Sequence, residues 1–259
     1  MAPALFVSHG APSFALEPGL AGPALQALGA NLKPKAVVIV SPHWMTRGGV
    51  AVTTGTHLET IHDFGGFAPA LYELAYPAKG DSALASEVMA LLEKGGWPVV
   101  ADPHRGLDHG AWVPLMHLYP KADVPVVAVS MPYPMDATAA LALGKALAPL
   151  RAQNVLVLGS GSLTHNLYEF RQHSLEDEAY VARFAAWVRA KLATGDDAAL
   201  VDLYNQSPDA RRAHPTNDHY LPLLVALGAR RQGDAFGVLE GGITHGVLAM
   251  DSFLFGEAQ

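Results

Sequence analysis

Four short apolar runs constrain this chain most: residues 4–7, 36–40, 125–129 and 155–158. They are rich in Val, Ile and Leu, and none alternates with polar residues. A strand covered on one face alternates, whereas a strand covered on both faces stays apolar throughout. The runs therefore read as strands buried between two layers. Helix-like stretches separate them, at 23–32, 81–94, 136–150 and 176–193. The last carries an apolar stripe at Val181, Phe184, Ala185, Val188 and Leu192. Ser174 with Asp177 resembles a capping box for it, and Gly195 a C-terminal stop. Alternating strand and helix predicts an α/β fold, with flanking helices around a largely parallel central sheet. No repeat, low-complexity run or linker divides the chain, so residues 1–259 read as one domain. Residues 48–75, with their threonines, glycines and aromatics, predict an antiparallel edge or a lid.

Composition narrows the function classes. Half the residues are hydrophobic and 16% are charged, which supplies a core and argues against disorder. The net charge of −7 argues against a general nucleic-acid binder and leaves small molecules as the expected partner. The absence of cysteine excludes disulfides, thiolate zinc sites, cysteine-ligated clusters and cysteine nucleophiles. The first residues lack a basic segment and a signal-type apolar core, and no apolar run reaches membrane-spanning length. The expectation is a soluble cytoplasmic protein with no membrane partner.

Twelve histidines stand out, and their placement matters more than their number. ALFVSHG ends on His9, AVVIVSPHW runs into His43, and NVLVLGSGSLTHN leads to His165. In open α/β sheets, ligands bind beyond the carboxyl ends of the strands. If the strands are parallel, all three histidines share one rim. A single histidine in a polar loop carries no such weight; three at the ends of four strands do. Imidazole ligates zinc, iron, copper and nickel, and also serves as a general base. Small residues accompany each of the three (Ser8 and Gly10, Ser41 and Pro42, Gly159 to Ser162), letting backbone approach a ligand closely.

Two further groups add candidates. In AHPTNDHYLPLL, Thr216 or Asp218 would cap a helix running through Leu227, with His219 in its first turn. His214 precedes a proline and should be extended. The two histidines cannot share a helix face, so at most one joins the site, and His219 is the choice. In DHGAWVPL, His109 sits in a loop before a helix, either as a site residue or as an ordinary loop residue, with Asp108 a candidate to orient it. His104 and His117 look ordinary, and His57, His173 and His245 read as surface or structural residues.

As an ordered set, SHGAP, SPHW, IHDFGGF, LYELAYPA, DHGAWVPL, GSGSLTHN and HPTNDHYLPLL run from Ser8 to Leu224. This series resembles the LigB superfamily of extradiol ring-cleavage dioxygenases, and most closely its DODA-type branch, the 4,5-DOPA extradiol dioxygenase-like proteins. The resemblance implies a LigB-like fold and a non-haem metal at His9 and His43. It implies that His165 is the acid/base or a fourth ligand. In the LigB branch proper a glutamate is the third ligand; here the matching segment offers His219. Two histidines with a carboxylate suit ferrous iron and oxygen. Three imidazoles resemble a catalytic zinc site equally well, and the neighbouring Asp218 could supply a carboxylate. The expected cofactor is one divalent metal, Fe(II) for dioxygenase activity or Zn(II) as bound.

The implied chemistry is ring opening of a DOPA-like catechol by O2. His165 would deprotonate the small aromatic diol, and His109 would stabilise developing negative charge. His62 would help close the pocket, while Phe64, Phe67 and Tyr72 pack against the ring or simply in the core. A substrate carboxylate would call on Arg47, Arg105 or Arg171. Two alternatives stay open: a zinc-dependent hydrolase, and a non-catalytic Memo-like metal- or ligand-binding protein. The oligomeric state is open too, a homo-oligomer included.

Overall fold

The computed structural model describes residues 1–170 and 178–257. In chain order the strands are β1 (Ala4–Ser8), β2 (Ala36–Thr46), β3 (Val50–Thr53), β4 (His57–Leu58), β5 (Ala78–Lys79), β6 (Val99–Asp102), β7 (Val126–Pro132), β8 (Val155–Gly161), β9 (Phe236–Leu239), β10 (Ile243–Thr244), β11 (Leu248–Ala249) and β12 (Ser252–Phe255). The helices are α1 (Ala21–Asn31), α2 (Pro69–Tyr72), α3 (Ser82–Lys94), α4 (His109–Leu118), α5 (Ala137–Leu147), α6 (Ala179–Thr194), α7 (Asp197–Val201), α8 (Leu203–Gln206), α9 (Ala210–Ala213) and α10 (Leu221–Gly228).

Eight strands form the central sheet in the order β6-β3-β7-β2-β8-β1-β12-β9. The four strands expected from the apolar runs are its inner neighbours, β7-β2-β8-β1, all parallel. Every residue of β1 and β8 is buried, which is why these runs do not alternate. The helix pairs α1 with α4 and α5 with α10 pack over this centre. The flanks are mixed: β12 runs antiparallel to β1, β9 antiparallel to β12, and β3 is antiparallel to β7. The 48–75 segment thus supplies an antiparallel strand, but β6 lies outside β3 and forms the edge.

Helix signals fared well where they were local. Asp81 accepts from Leu84 N and Asp136 from Ala139 N, capping α3 and α5. Gly195 ends α6 in the left-handed conformation. The capping box at Ser174 and Asp177 lies outside the described residues. The helix before Gly228 begins at Leu221 rather than at Thr216 or Asp218, so His219 precedes its first turn. Among the described residues, no helix is long and apolar enough to cross a membrane.

Candidate metal centre

Parallel pairing of β2, β8 and β1 brings their carboxyl ends to one rim. His9 follows β1 directly, and its N–H still donates to Gly161 O, continuing the ladder. His43 lies within β2, inside the irregular stretch between Val40 and Met45 where the register against β7 shifts. His165 sits four residues beyond β8, and His109 opens α4. His219 is delivered by the segment before α10, tied to the rim by Ser162 N donating to His219 O. A Cβ on Gly159 or Gly161 would fall 2.0 Å from Pro222 O or 2.3 Å from His219 O. The glycines of GSGS therefore admit the backbone of this segment onto the strand, rather than a ligand.

The rim gathers His9, His43 and His219 with one ring nitrogen of each within 4.8 Å of the others. His43 Nε2 lies 3.2 Å from His9 Nε2 and 3.4 Å from His219 Nε2. His165 stacks flat on His219 at 3.5 Å, and His109 packs against His43 at 4.0 Å between ring centres.

The other ring nitrogens are tethered. Ser160 gives its only hydroxyl proton to Gly110 O, so its oxygen can only accept from His9 Nδ1–H, 3.0 Å away. His219 Nδ1–H donates to the Asp218 carboxylate. His43 Nδ1 lies 3.5 Å from Asp63 Oδ2. These tethers leave the Nε2 lone pairs of His9 and His219 bare and aimed at His43. His43 can donate to at most one of them. A cluster of facing lone pairs in a buried site is satisfied by a cation, so the donor set fits a metal ion.

Electrostatics favour the neutral, ligating form. Burial, then repulsion from the neighbouring imidazoles, holds His9 well below its usual pKa. The same causes lower His43 to about 2 and His165 to about 3. Burial would raise Asp63, but the hydrogen bonds and charge of His109 outweigh it and hold the carboxyl at about 2. Both carboxylates beside the cluster are thus ionised acceptors. Asp218 and Asp63 act on ring Nδ1 atoms, the orienting arrangement that second-sphere carboxylates provide.

Sequence reasoning missed Asp63 and Ser160. Asp63 receives His109 N–H at 2.8 Å and His109 Nδ1–H at 3.0 Å. Asp108, expected to orient His109, instead accepts from Ser41 and Arg105. The signal for Asp63 was the IHDFGGF motif itself, in which His62 drew the attention. His62 turns away and bonds Leu74 O at 2.9 Å. Tyr72 is exposed and its hydroxyl faces Phe64 O. His214 is fully buried elsewhere, against Leu163 O.

Above the cluster opens a cavity of about 380 Å³, walled by Phe64, Phe67, Leu167, Phe170 and Leu248 together with His43, His109, His165 and His219. Residues 21–240 match the family model described as the catalytic LigB subunit of aromatic ring-opening dioxygenase. The chain belongs to the LigB family. Relatives within reach of this family assignment include the 4,5-DOPA dioxygenase extradiol of Escherichia coli K12, 38% identical over 98% of this chain and 94% of that protein. The protein of the same name from Beta vulgaris is 35% identical, covering 96% and 95%. The crystal structure of uncharacterized protein JW3007 from Escherichia coli K12 superposes with a TM-score of 0.82 at 32% identity, covering 99% of this chain and all of that one. In this LigB chain, the imidazoles of His43, His109, His165 and His219 line the aromatic-walled cavity.

Proposed function

We propose that this protein is a metal-dependent extradiol dioxygenase that opens the ring of a catechol with O2. The observation that carries the proposal is the convergence of His9, His43 and His219 through Nε2, with every Nδ1 facing an acceptor. These three residues would hold one divalent metal. Ferrous iron there would supply a Lewis acid for the two catechol oxygens and an electron path between ring and O2.

The chain's own residues do the rest. His165, neutral and stacked on His219, presents a free base beside the ligands and takes a proton from the catechol hydroxyl. His109 lines the cavity and has its Nδ1–H committed to Asp63, which leaves Nε2 free to hydrogen-bond a catechol oxygen. Phe64 meets His109 edge-on at 5.7 Å and Phe67 at 5.6 Å, forming a stiff wall for the ring. Phe170 and Leu167 complete the apolar lining and displace water from it.

The test begins with metal-free protein reloaded anaerobically with Fe(II), and a parallel sample with Zn(II). A panel of catechols is added, oxygen is admitted, and O2 uptake is followed with the yellow ring-opened product. Uptake with iron only, matched to product, is the expected result. No uptake with any catechol at full iron occupancy would sink the proposal and return weight to a zinc hydrolase or a non-catalytic binder. His9→Ala, His43→Ala and His219→Ala are expected to stay folded while losing bound metal.

A further inference from the structure

The cavity above the metal centre has a neighbour. Beside it lies a second cavity of about 340 Å³, whose lining includes Ser13, Glu17, Thr244 and His245. Ala11 lines both. Gly10 lines the metal cavity and Met250 the second, and a Cβ on Gly10 would fall 2.6 Å from Met250 Sδ. Pro12 likewise lines the first and Ser13 the second. Phe170 lines the metal cavity and His245 the second, with their rings 4.7 Å apart and tilted by 34°. The two cavities therefore meet across a thin wall, and the Phe170–His245 ring pair is part of it.

His245, read from the sequence as a surface or structural residue, holds an unusual backbone position. It opens the turn between β10 and β11 with a φ of +53°, and Gly246 follows at +73°. Val247 N donates to Thr244 O at 3.3 Å across that turn. Positive φ at both central residues is what a type I′ turn requires, and Asn-Gly or Gly-Gly meets it with least strain. A histidine there bears a backbone cost that its side chain has to offset. The imidazole pairs through Nε2 with Ser13 Oγ at 3.2 Å and packs on Phe170. The hairpin itself is anchored independently of that ring. Thr164 Oγ1 donates to Val247 O at 2.7 Å and accepts from Ala249 N at 2.8 Å, and Gly246 O accepts from Glu178 N at 2.9 Å. Removing the ring leaves the turn in place and takes away the support behind Phe170.

Building on the ring-cleavage reading, we infer that His245 is a specificity-determining residue: through Phe170 it shuts the second cavity to the ring substituent of a catechol and so limits that substituent's length. The diol faces the histidines, and the substituent runs past Phe170. With the imidazole gone, Phe170 can turn into the second cavity. A longer substituent then follows, into space where Ser13 and Thr244 offer hydroxyls to a polar tail. The partition acts on length rather than on charge. Of the arginines expected to meet a substrate carboxylate, Arg105 donates to His43 O and Asp108, Arg47 lies over Tyr133, and Arg171 is outside the described residues.

The experiment compares wild type with His245→Asn and His245→Gly on two neutral catechols that share one stem, 4-ethylcatechol and N-benzoyldopamine. It measures kcat/KM of the iron-loaded enzymes in air, and equilibrium binding of both compounds without oxygen. The ratio of N-benzoyldopamine to 4-ethylcatechol should rise about tenfold in both variants and in both measurements. Because both substitutions suit the turn, Tm should stay within a few degrees of wild type. Ser13→Ala keeps both rings and loses one hydrogen bond, so it should move the ratio the same way by less. A ratio within about threefold of wild type in the folded variants would overturn the inference, and so would loss of the fold in both. If no catechol is turned over, the ring-cleavage reading falls and the binding ratio alone decides the partition.

Discussion

Asp63→Asn is the most informative single change. The carboxylate accepts two hydrogen bonds from His109, at 2.8 and 3.0 Å, and lies 3.5 Å from His43 Nδ1. Asparagine keeps one oxygen, which can still accept from His109 N–H. Its amide nitrogen is a donor and cannot face an Nδ1–H. The change therefore reverses the tautomer preference of His109 and removes the charge facing His43. A hydrogen bond to a charged group contributes about 1.5–3 kcal/mol, or about 10- to 100-fold in an equilibrium or a rate. That range agrees with losses of about 10–100-fold when partners of metal-ligating histidines are removed. Chelator competition should show the weaker metal, and steady-state kinetics at saturating Fe(II) should show lower kcat with a smaller change in KM. A stability control separates folding from function. Asp63 is held at about 2 instead of 3.8, so its contribution is present above about pH 4 and fades as pH falls towards 2. The difference in Tm between wild type and variant should accordingly narrow below about pH 4. Metal affinity and kcat both within about twofold of wild type would refute the reasoning.

Other positions make separate demands. A Cβ on Gly110 would lie 2.5 Å from Ser41 Oγ and 2.8 Å from His43 Cδ2. Gly110→Ala should therefore displace the His43 ring, cost about 1–3 kcal/mol in chemical denaturation and weaken metal binding in titration. His214 is buried with its pKa lowered from 6.5 to about 4, chiefly by burial. A lowered histidine stabilises the fold above its unfolded pKa and ceases to as pH falls to the folded one; here the window is 6.5 to about 4, and the effect about 3 kcal/mol. His214→Gln keeps a donor for Leu163 O, so Tm plotted against pH should be shallower across that window. Arg151 is buried and donates to Ala2 O, Ala229 O, Phe255 O and Asp234. Arg151→Met removes these four hydrogen bonds, leaving Asp234 only its bond from Arg231 N, and should cost about 3–5 kcal/mol in urea unfolding, with the metal stoichiometry of the folded fraction unchanged.

How far the sequence reaches can be judged residue by residue. The four inner strands were legible because burial on both faces writes itself into consecutive residues. The rim position of His9 was legible because the chain leaves β1 at Ser8 and turns at Gly10 beside it, whereas His43 lies inside β2, which continues to Thr46. Gly195 was legible as a helix stop because a cap acts within four residues of itself, and the helices beginning at Asp81 and Asp136 were legible as stretches although their caps were not read. The start of α10 was misread: Asp218 looked like a cap, but its carboxylate is engaged by His219 Nδ1. A short polar side chain offers the same oxygen to a backbone amide or to a neighbouring imidazole, and local sequence does not rank the two.

The sequence by itself determined the layered α/β class, the inner parallel strands and the presence of histidines at their carboxyl ends. Those properties follow from periodicity and chain direction, which are local. Only the tertiary structure decided which acceptor holds each imidazole. Ser160 reaches His9 across 151 residues and Asp63 reaches His109 across 46. It also decided that the cavity wall combines Phe64 and Phe67 with Leu167 and Phe170, far apart in the chain. A hydrogen-bond partner or an apolar wall is a matter of a few ångströms in space, and strand order, which no single segment encodes, sets those distances.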